Sequence, residues 1–434
     1  MIDKVKKIIS GPFIRNVFVM ASGTAFAQVI SMVLSPIITR LYGPEAYGIM
    51  GTFTAIINTF TPIVALTYPI AIVLPKSDRD AKGLVRLSLN ITLVVTLLAF
   101  LIIFIFDDLL IKIFDIGEIM PYFYLIPIAI LLGGFLQIIE QWLIRTKQFR
   151  VSARSAVVQA IIVQGGKTGI GFFYPHASVL IVLSAFNQGI KALFMYLFSR
   201  KSDGRLPLDS FREKISLKKL AKEYKDFPLF RTPQVFINAA SQSLPVIMLT
   251  SLFGPAAAGF YSISRTVLSI PTNLIGKSVG DVFYPRISQA RNEGENLTQL
   301  IKKATNMLAL VGIIPYGLVV LFGPWLFSFV FGKDWVVAGE YARWVALWVY
   351  FLFINQPSVR ALPVLNAQSF HLMFTIIALI TRVAALFVGY YVFESDYIAI
   401  ALFGITGAVL NLALILITLS FSKKFDKERE KGIG

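Results

Sequence analysis

Apolar residues in this chain run in long unbroken blocks separated by short polar turns. Twelve blocks are long enough to cross a bilayer, at about 14–38, 46–74, 85–106, 121–144, 153–174, 177–198, 227–253, 256–283, 301–322, 341–365, 369–393 and 397–420. A helix needs roughly 20 mostly apolar residues for that crossing. Leu, Ile, Val and Phe dominate, and the ten-residue alternation of an outer-membrane barrel is missing, so the blocks predict helices. The first is too long for a cleaved signal peptide and no clear small-x-small site follows it.

Composition agrees with that reading. Only 15% of the residues are charged and 56% are hydrophobic, whereas a soluble protein carries about a quarter charged residues. The expected class is an all-α integral membrane protein with twelve transmembrane helices. With no cysteine, disulfides, thiolate metal sites and cysteine nucleophiles are excluded. The two histidines, His176 and His371, are far apart, so no histidine metal site is expected and no cofactor is called for.

The charge of +17 reads as topology. Of the 41 Lys and Arg, 32 fall on the side that holds the N-terminus and only 4, Arg40, Lys112, Lys333 and Arg343, on the other. Positive residues collect on the cytoplasmic side, which predicts both termini in the cytoplasm of a cell-membrane protein. The basic balance therefore argues for contact with anionic lipid heads and against nucleic acid.

The longest polar stretch, 199–226, is basic and linker-like, and it separates six blocks from six. The expected organisation is an N-terminal bundle (1–198), a cytoplasmic linker (199–226) and a C-terminal bundle with a short basic tail (227–434). The halves echo each other. Thr39, Leu41, Gly43, Pro44, Ala46 and Gly48 recur at an offset of 211 as Thr250, Leu252, Gly254, Pro255, Ala257 and Gly259. Both copies sit in the turn joining the first two blocks of a half. A weaker echo pairs Phe104–Phe114 with Leu321–Phe331. An even number of spans between copies makes the repeats parallel, an architecture of transporters that work by alternating access.

Several motifs carry a family resemblance. They are Asn16, the run Ala21 to Gln28, Pro36, Thr39 to Pro44, Tyr47-Gly48 and Ala71 to Pro75. The second half adds Gly259 to Ser262, Phe283 to Pro285 and Leu321 to Trp325. Together they resemble the Wzx-type polysaccharide flippases of the multidrug/oligosaccharidyl-lipid/polysaccharide exporter superfamily, over most of the chain. The resemblance implies two MATE-like six-helix bundles and movement of a polyprenyl-diphosphate-linked oligosaccharide across the cytoplasmic membrane. The pathway would be surface polysaccharide assembly of the O-antigen or capsule type, with no catalytic residues. Implied partners are the lipid-linked glycan, membrane lipids, and a glycan polymerase or other assembly protein.

Charges inside the blocks bear on that expectation. A charge at the bilayer centre costs about 2.5–3.5 kcal/mol on insertion scales. Lys167, Lys191, Arg265, Lys277 and Arg382 are basic, whereas Glu140 and Asp281 are acidic and lie near block ends. A cationic excess fits an anionic cargo, and a diphosphate suits Arg and Lys. Arg265, Lys277, Arg382 and Lys167 are the candidate substrate-binding cations of a cavity between the bundles. Lys191 is read as snorkelling to the surface. Gln28, Asn58, Asn238, Gln242 and Asn273 are candidate polar lining. The five tryptophans read mostly as interface anchors. Gly165-Gly166-Lys167-Thr168 lacks the first glycine of a nucleotide loop and sits in an apolar block. The alternatives are a cation-coupled drug exporter of the same superfamily, which wants membrane carboxylates, and a membrane polymerase or glycosyltransferase, which wants a reactive loop. The longest outward loop is only about 107–120.

Overall fold

The computed structural model describes residues 12–114, 117–200, 206 and 216–430. Among them every regular element is helical. In chain order these are α1 (Pro12–Phe60), α2 (Tyr68–Ala71), α3 (Asp78–Phe114), α4 (Leu125–Arg145), α5 (Phe149–Gly171), α6 (Ala177–Ser199), α7 (Leu217–Glu223) and α8 (Thr232–Phe253). They continue with α9 (Pro255–Pro271), α10 (Lys277–Asn292), α11 (Leu297–Phe331), α12 (Val336–Ile354), α13 (Gln356–Ala361), α14 (Gln368–Tyr391) and α15 (Asp396–Glu430).

Nine segments among the described residues are long and apolar enough to cross a membrane. The first of them, Ser22–Ile63, contains a non-helical Gly43 and so holds two of the predicted spans. Two more predicted spans correspond to α5 and to the broken pair α9–α10, whose many polar residues dilute their hydropathy. All twelve blocks thus have a helical counterpart.

The repeated turn has the same backbone in both copies. Gly43 adopts φ 71°, ψ 173° and Gly254 adopts φ 86°, ψ 171°. A Cβ would meet nothing within 4 Å at either residue. The glycines are therefore required by positive φ, not by crowding.

The block at 46–74 is not one continuous helix. α1 ends at Phe60, a 3-10 turn follows over Thr61–Ile63, and Leu66 and Thr67 take positive φ before α2. Pro62 and Pro69 remove two backbone donors here. The opened backbone finds side-chain partners, since Gln137 Nε2 donates to the Thr61 carbonyl at 2.6 Å. The corresponding block of the second half also breaks at a proline, Pro271, and passes through a π-helical turn, Thr272–Gly276.

By packing, the chain falls into two compact units, Met1–Ala256 and Ala257–Gly434. In the first, α1 packs on α5, α6 and α8, and α4 packs on α6. The seventh span therefore belongs by contact with the six before it, although by sequence repeat it opens the second half. Part of the 199–226 stretch is also docked on this unit. Leu206 and Leu220 are buried in one cluster with Leu84, Trp142 and Leu143, and Tyr68 Oη donates to the Ala221 carbonyl at 3.1 Å. Lys201, Arg205, Arg212 and Lys214 lie outside the described residues.

In the second unit α12 is central, against α11 and α15, and α14 packs on α15. Gly323 and Gly339 let α11 and α12 touch backbone to backbone. Pro324 leaves the Val320 carbonyl without its helical donor. Arg343 of α12 supplies one, its Nε donating to Val320 O at 2.8 Å. The basic tail continues as helix α15. Its Asp426, 4% exposed, accepts from the backbone amides of Leu297 (3.1 Å) and Thr298 (2.9 Å) and from Thr298 Oγ1 (2.7 Å). A carboxylate at these orphan amides caps the start of α11 and complements its dipole. Arg429 adds bonds to the Gly294 and Glu295 carbonyls at 2.6 and 2.9 Å.

Candidate functional site

Trp348 organises the site in the second unit. It is 4% exposed on α12, although its place in the sequence reads as an interface anchor. The cause lies on α15. A Cβ at Gly407 would lie 2.6 Å from the Trp348 ring, and a Cβ at Gly404 would collide with the Trp344 backbone carbonyl. Two glycines three positions apart open a slot, and the indole sinks into it. Trp142 and Trp335 are buried too, whereas Trp325 stays exposed as an anchor would. Phe403, also on α15, meets the Trp348 ring edge-on at 5.1 Å.

Two of the predicted cations converge on this indole. The guanidinium carbon of Arg265, on α9, lies 4.6 Å from the ring centroid, and that of Arg382, on α14, lies 5.2 Å away. Arg382 also lies 5.7 Å from the Phe403 ring. Each such contact is worth about 0.5–2 kcal/mol, more when desolvated. Arg265 Nη1 reaches Tyr261 Oη at 3.4 Å, and Arg382 Nε donates to the Ala378 carbonyl at 3.1 Å. Among the described residues no carboxylate forms an ion pair with either arginine. The aromatic faces hold the guanidiniums without neutralising them. Two like charges at one ring leave room for an anion.

The other predicted residues go elsewhere. Lys167 is buried inside the first unit, where Nζ donates to Ser184 Oγ at 2.9 Å and approaches Met50 Sδ at 3.4 Å. Tyr42 Oη donates to the Lys167 carbonyl at 2.7 Å, so α1 touches both the side chain and the backbone of this turn of α5. Lys277 opens α10, and its side chain lies outside the described residues. Gln28 and Asn58 on α1, Asn238 and Gln242 on α8, and Asn273 in the π turn are all exposed. Asn187 and Asn355 instead bridge helices, to Gln159 and Asn411 respectively.

Sequence reading missed one pairing. Lys191 does not stand alone, because its Nζ lies 2.6 Å from Glu140 Oε1, between α6 and α4. Both side chains are only 26% and 35% exposed. No local spacing signals this contact, as the partners lie on different helices. The Trp348 slot did leave a signal, Gly404-x-x-Gly407 on an otherwise bulky helix.

Residues 37–340 match the family model described as polysaccharide biosynthesis protein. A segment of 118 residues is 25% identical to the teichuronic acid biosynthesis protein TuaB of Bacillus subtilis (strain 168), and covers 27% of this chain and 24% of that one. The match thus spans about a quarter of that relative's length. Among solved structures, an inward-facing multidrug resistance MATE-family transporter of the MOP superfamily aligns at a TM-score of 0.74 and 14% identity, over 94% of this chain and 99% of that one. The lipid II flippase MurJ, in an inward closed conformation, aligns at 0.70 and 14% identity, over 93% and 87%.

Proposed function

Because the chain belongs to the polysaccharide biosynthesis protein family, we propose that it carries a polyprenyl-diphosphate-linked oligosaccharide across the cytoplasmic membrane for surface-polysaccharide assembly. The fold is that of the MOP-superfamily transporters, and one neighbour of that fold is a lipid II flippase. The observation that carries the reading is the pair Arg265 and Arg382 on Trp348, cationic and without a carboxylate. A diphosphate supplies the missing counter-charge, and Arg offers it a planar fork. A cationic drug would meet repulsion at the same place, which disfavours the drug-exporter reading.

In this mechanism the diphosphate docks on the two guanidiniums, the sugars follow in water-filled space, and the prenyl chain stays in lipid. The exposed amides of Gln28, Asn58, Asn238 and Gln242 suit sugar hydroxyls, because an amide both donates and accepts. Lys167 and Lys277 complete the proposed set of cations. Alternating access moves the head group, and the positive-residue bias supports an orientation with both termini in the cytoplasm.

The test is translocation of a polyprenyl-diphosphate-linked glycan into proteoliposomes holding the full chain. Arg265→Ala abolishes transport while the protein stays inserted, and Arg265→Lys restores part of it, since a point charge replaces a fork. Wild-type transport rates in both variants would overturn the reading.

A further inference from the structure

The broken span α9–α10 of the second unit is clasped at its break by one buried phenol. Proline brings no amide proton and its ring crowds the turn before it. α9 therefore stops at Pro271, and the chain enters the π turn Thr272–Gly276. Tyr316 of α11, 2% exposed, reaches both sides of this break. Its Oη donates to the Leu268 carbonyl at 3.3 Å and lies 2.9 Å from Thr272 Oγ1. A phenol has one proton, so the Thr272 hydroxyl must donate to it. The three groups form one chain of hydrogen bonds from the π turn back into α9.

Packing holds the phenol in turn. The Tyr316 ring meets Tyr350 at 6.0 Å and Phe353 at 5.8 Å between centroids. Phe353, fully buried on α12, fills the space between the π turn and α11. A Cβ at Gly276 would lie 3.2 Å from its ring, and one at Gly312 would lie 3.0 Å from it. Gly312 and Tyr316 are four positions apart on α11 and share a face. The break is therefore held in place and is not a loose hinge.

Arg265 lies in the stretch of α9 that this clasp controls. It directly follows Ser264, whose Oγ reaches the Ala338 carbonyl of α12 at 2.6 Å. α9 is thus tied to α12 just ahead of Arg265 and to α11 one turn behind it. Among the described residues the guanidinium has a single, long hydrogen bond of its own, to Tyr261 Oη at 3.4 Å. Its seat 4.6 Å from the Trp348 ring centroid therefore depends on where the backbone puts it. We propose that Tyr316 is a positioning residue of the anion site, whose hydroxyl holds the broken helix so that Arg265 meets Trp348 and faces the diphosphate. This role rests on the transport reading for its ligand, whereas the seating of Arg265 is measurable without one.

Two readouts on the full chain in lipid nanodiscs test it. One is fluorine NMR of the fluorotryptophan-labelled protein, with Trp348 assigned through Trp348→Phe. The other is calorimetric titration of inorganic pyrophosphate. Arg265→Ala shifts the Trp348 resonance, because a cation leaves the face of the ring. Tyr316→Phe is expected to shift it in the same direction and to weaken pyrophosphate binding about tenfold, the scale of one lost hydrogen bond. Added to Arg265→Ala, Tyr316→Phe moves the resonance no further, as a residue acting through Arg265 must. Thr272→Val removes the donor at the other end of the chain and reproduces both effects, even should Tyr316→Phe fail to fold. Thr272→Ser keeps the hydroxyl and the wild-type values. Tyr350→Phe removes a neighbouring hydroxyl, which serves the Ala309 carbonyl at 3.3 Å, and changes neither readout. The positioning role is overturned by an unchanged Trp348 resonance or pyrophosphate affinity in Tyr316→Phe and Thr272→Val. An equal shift with and without Arg265, or the same shift from Tyr350→Phe, overturns it as well. Coupled shifts in a wild-type chain that binds no pyrophosphate would overturn the diphosphate reading and leave the positioning of Arg265 by Tyr316 standing.

Discussion

Both units place cations within membrane-spanning helices, and they treat them in opposite ways. In the first unit Lys191 meets Glu140 at 2.6 Å. In the second unit Arg265 and Arg382 share an indole and no carboxylate. Coulomb attraction settles the Lys191 charge inside the fold, whereas ring quadrupoles only steady the arginines. A paired cation is spent on structure. A cation resting on an aromatic ring stays available to a ligand.

The largest expected effect breaks this contrast directly. Arg382→Ala should lower glycan translocation at least about a hundredfold with insertion unchanged, the scale of losing a desolvated charge contact of about 3 kcal/mol. Lys191→Met should instead lower stability, by about 1–2 kcal/mol for a partly exposed pair, with the Glu140 charge left behind. Adding Glu140→Gln to Lys191→Met should return most of that loss, as read from thermal unfolding in detergent. If the Lys191 variants stop transport without loss of stability, the contrast between the units collapses.

Gly407→Ala sharpens the comparison from the packing side. The new methyl would lie 2.6 Å from the Trp348 ring, so the indole must shift, at a cost of about 1–3 kcal/mol for overpacking. Tryptophan fluorescence should change and translocation should fall, because both guanidiniums lose their seat. The same substitution at Gly165 should do little, since a Cβ there meets nothing within 4 Å.

The repeat makes a smaller, symmetric prediction. Gly43→Ala and Gly254→Ala both force an L residue into positive φ, at about 1–2 kcal/mol each. Near-equal shifts in unfolding temperature would mark the turns as equivalent, and unequal ones would mark one as specialised.

A surface pair gives the smallest effect. Arg286 lies 2.6 Å from Glu295 and holds its carboxyl below the usual carboxylate range. A depressed folded value means that the stabilisation is present at neutral pH and is lost as pH falls through that value. Glu295→Gln should therefore lower the unfolding temperature slightly at neutral pH and make no difference at acid pH, where the wild-type carboxyl is protonated and the pair already lost.

How much of this was legible in the sequence varies with the range of the interaction. Gly43-Pro44 and Gly254-Pro255 were readable as paired turns because the signal is local and repeated. Arg265 and Arg382 stood out because a charge in an apolar block needs a reason. Their meeting at Trp348 was not readable, as it depends on α9, α12, α14 and α15 converging. Glu140 and Lys191 were each visible, yet their bond depends on how α4 turns against α6. The interruption of the block at 46–74 was foreshadowed by Pro62 and Pro69, but apolar length concealed it.

The carboxylate that caps α11 has a consequence for biogenesis. Leu297 and Thr298 emerge from the ribosome long before Asp426, whose carboxylate accepts hydrogen bonds from their amides. Until then the start of that helix has no partner for these two donors, and the Gly294 and Glu295 carbonyls still lack Arg429. Chains are made at about 5–20 residues per second, so this end of the second unit waits several seconds for its last contacts. A nascent chain stalled before residue 426 would present an open helix start, a recognisable mark of unfinished synthesis.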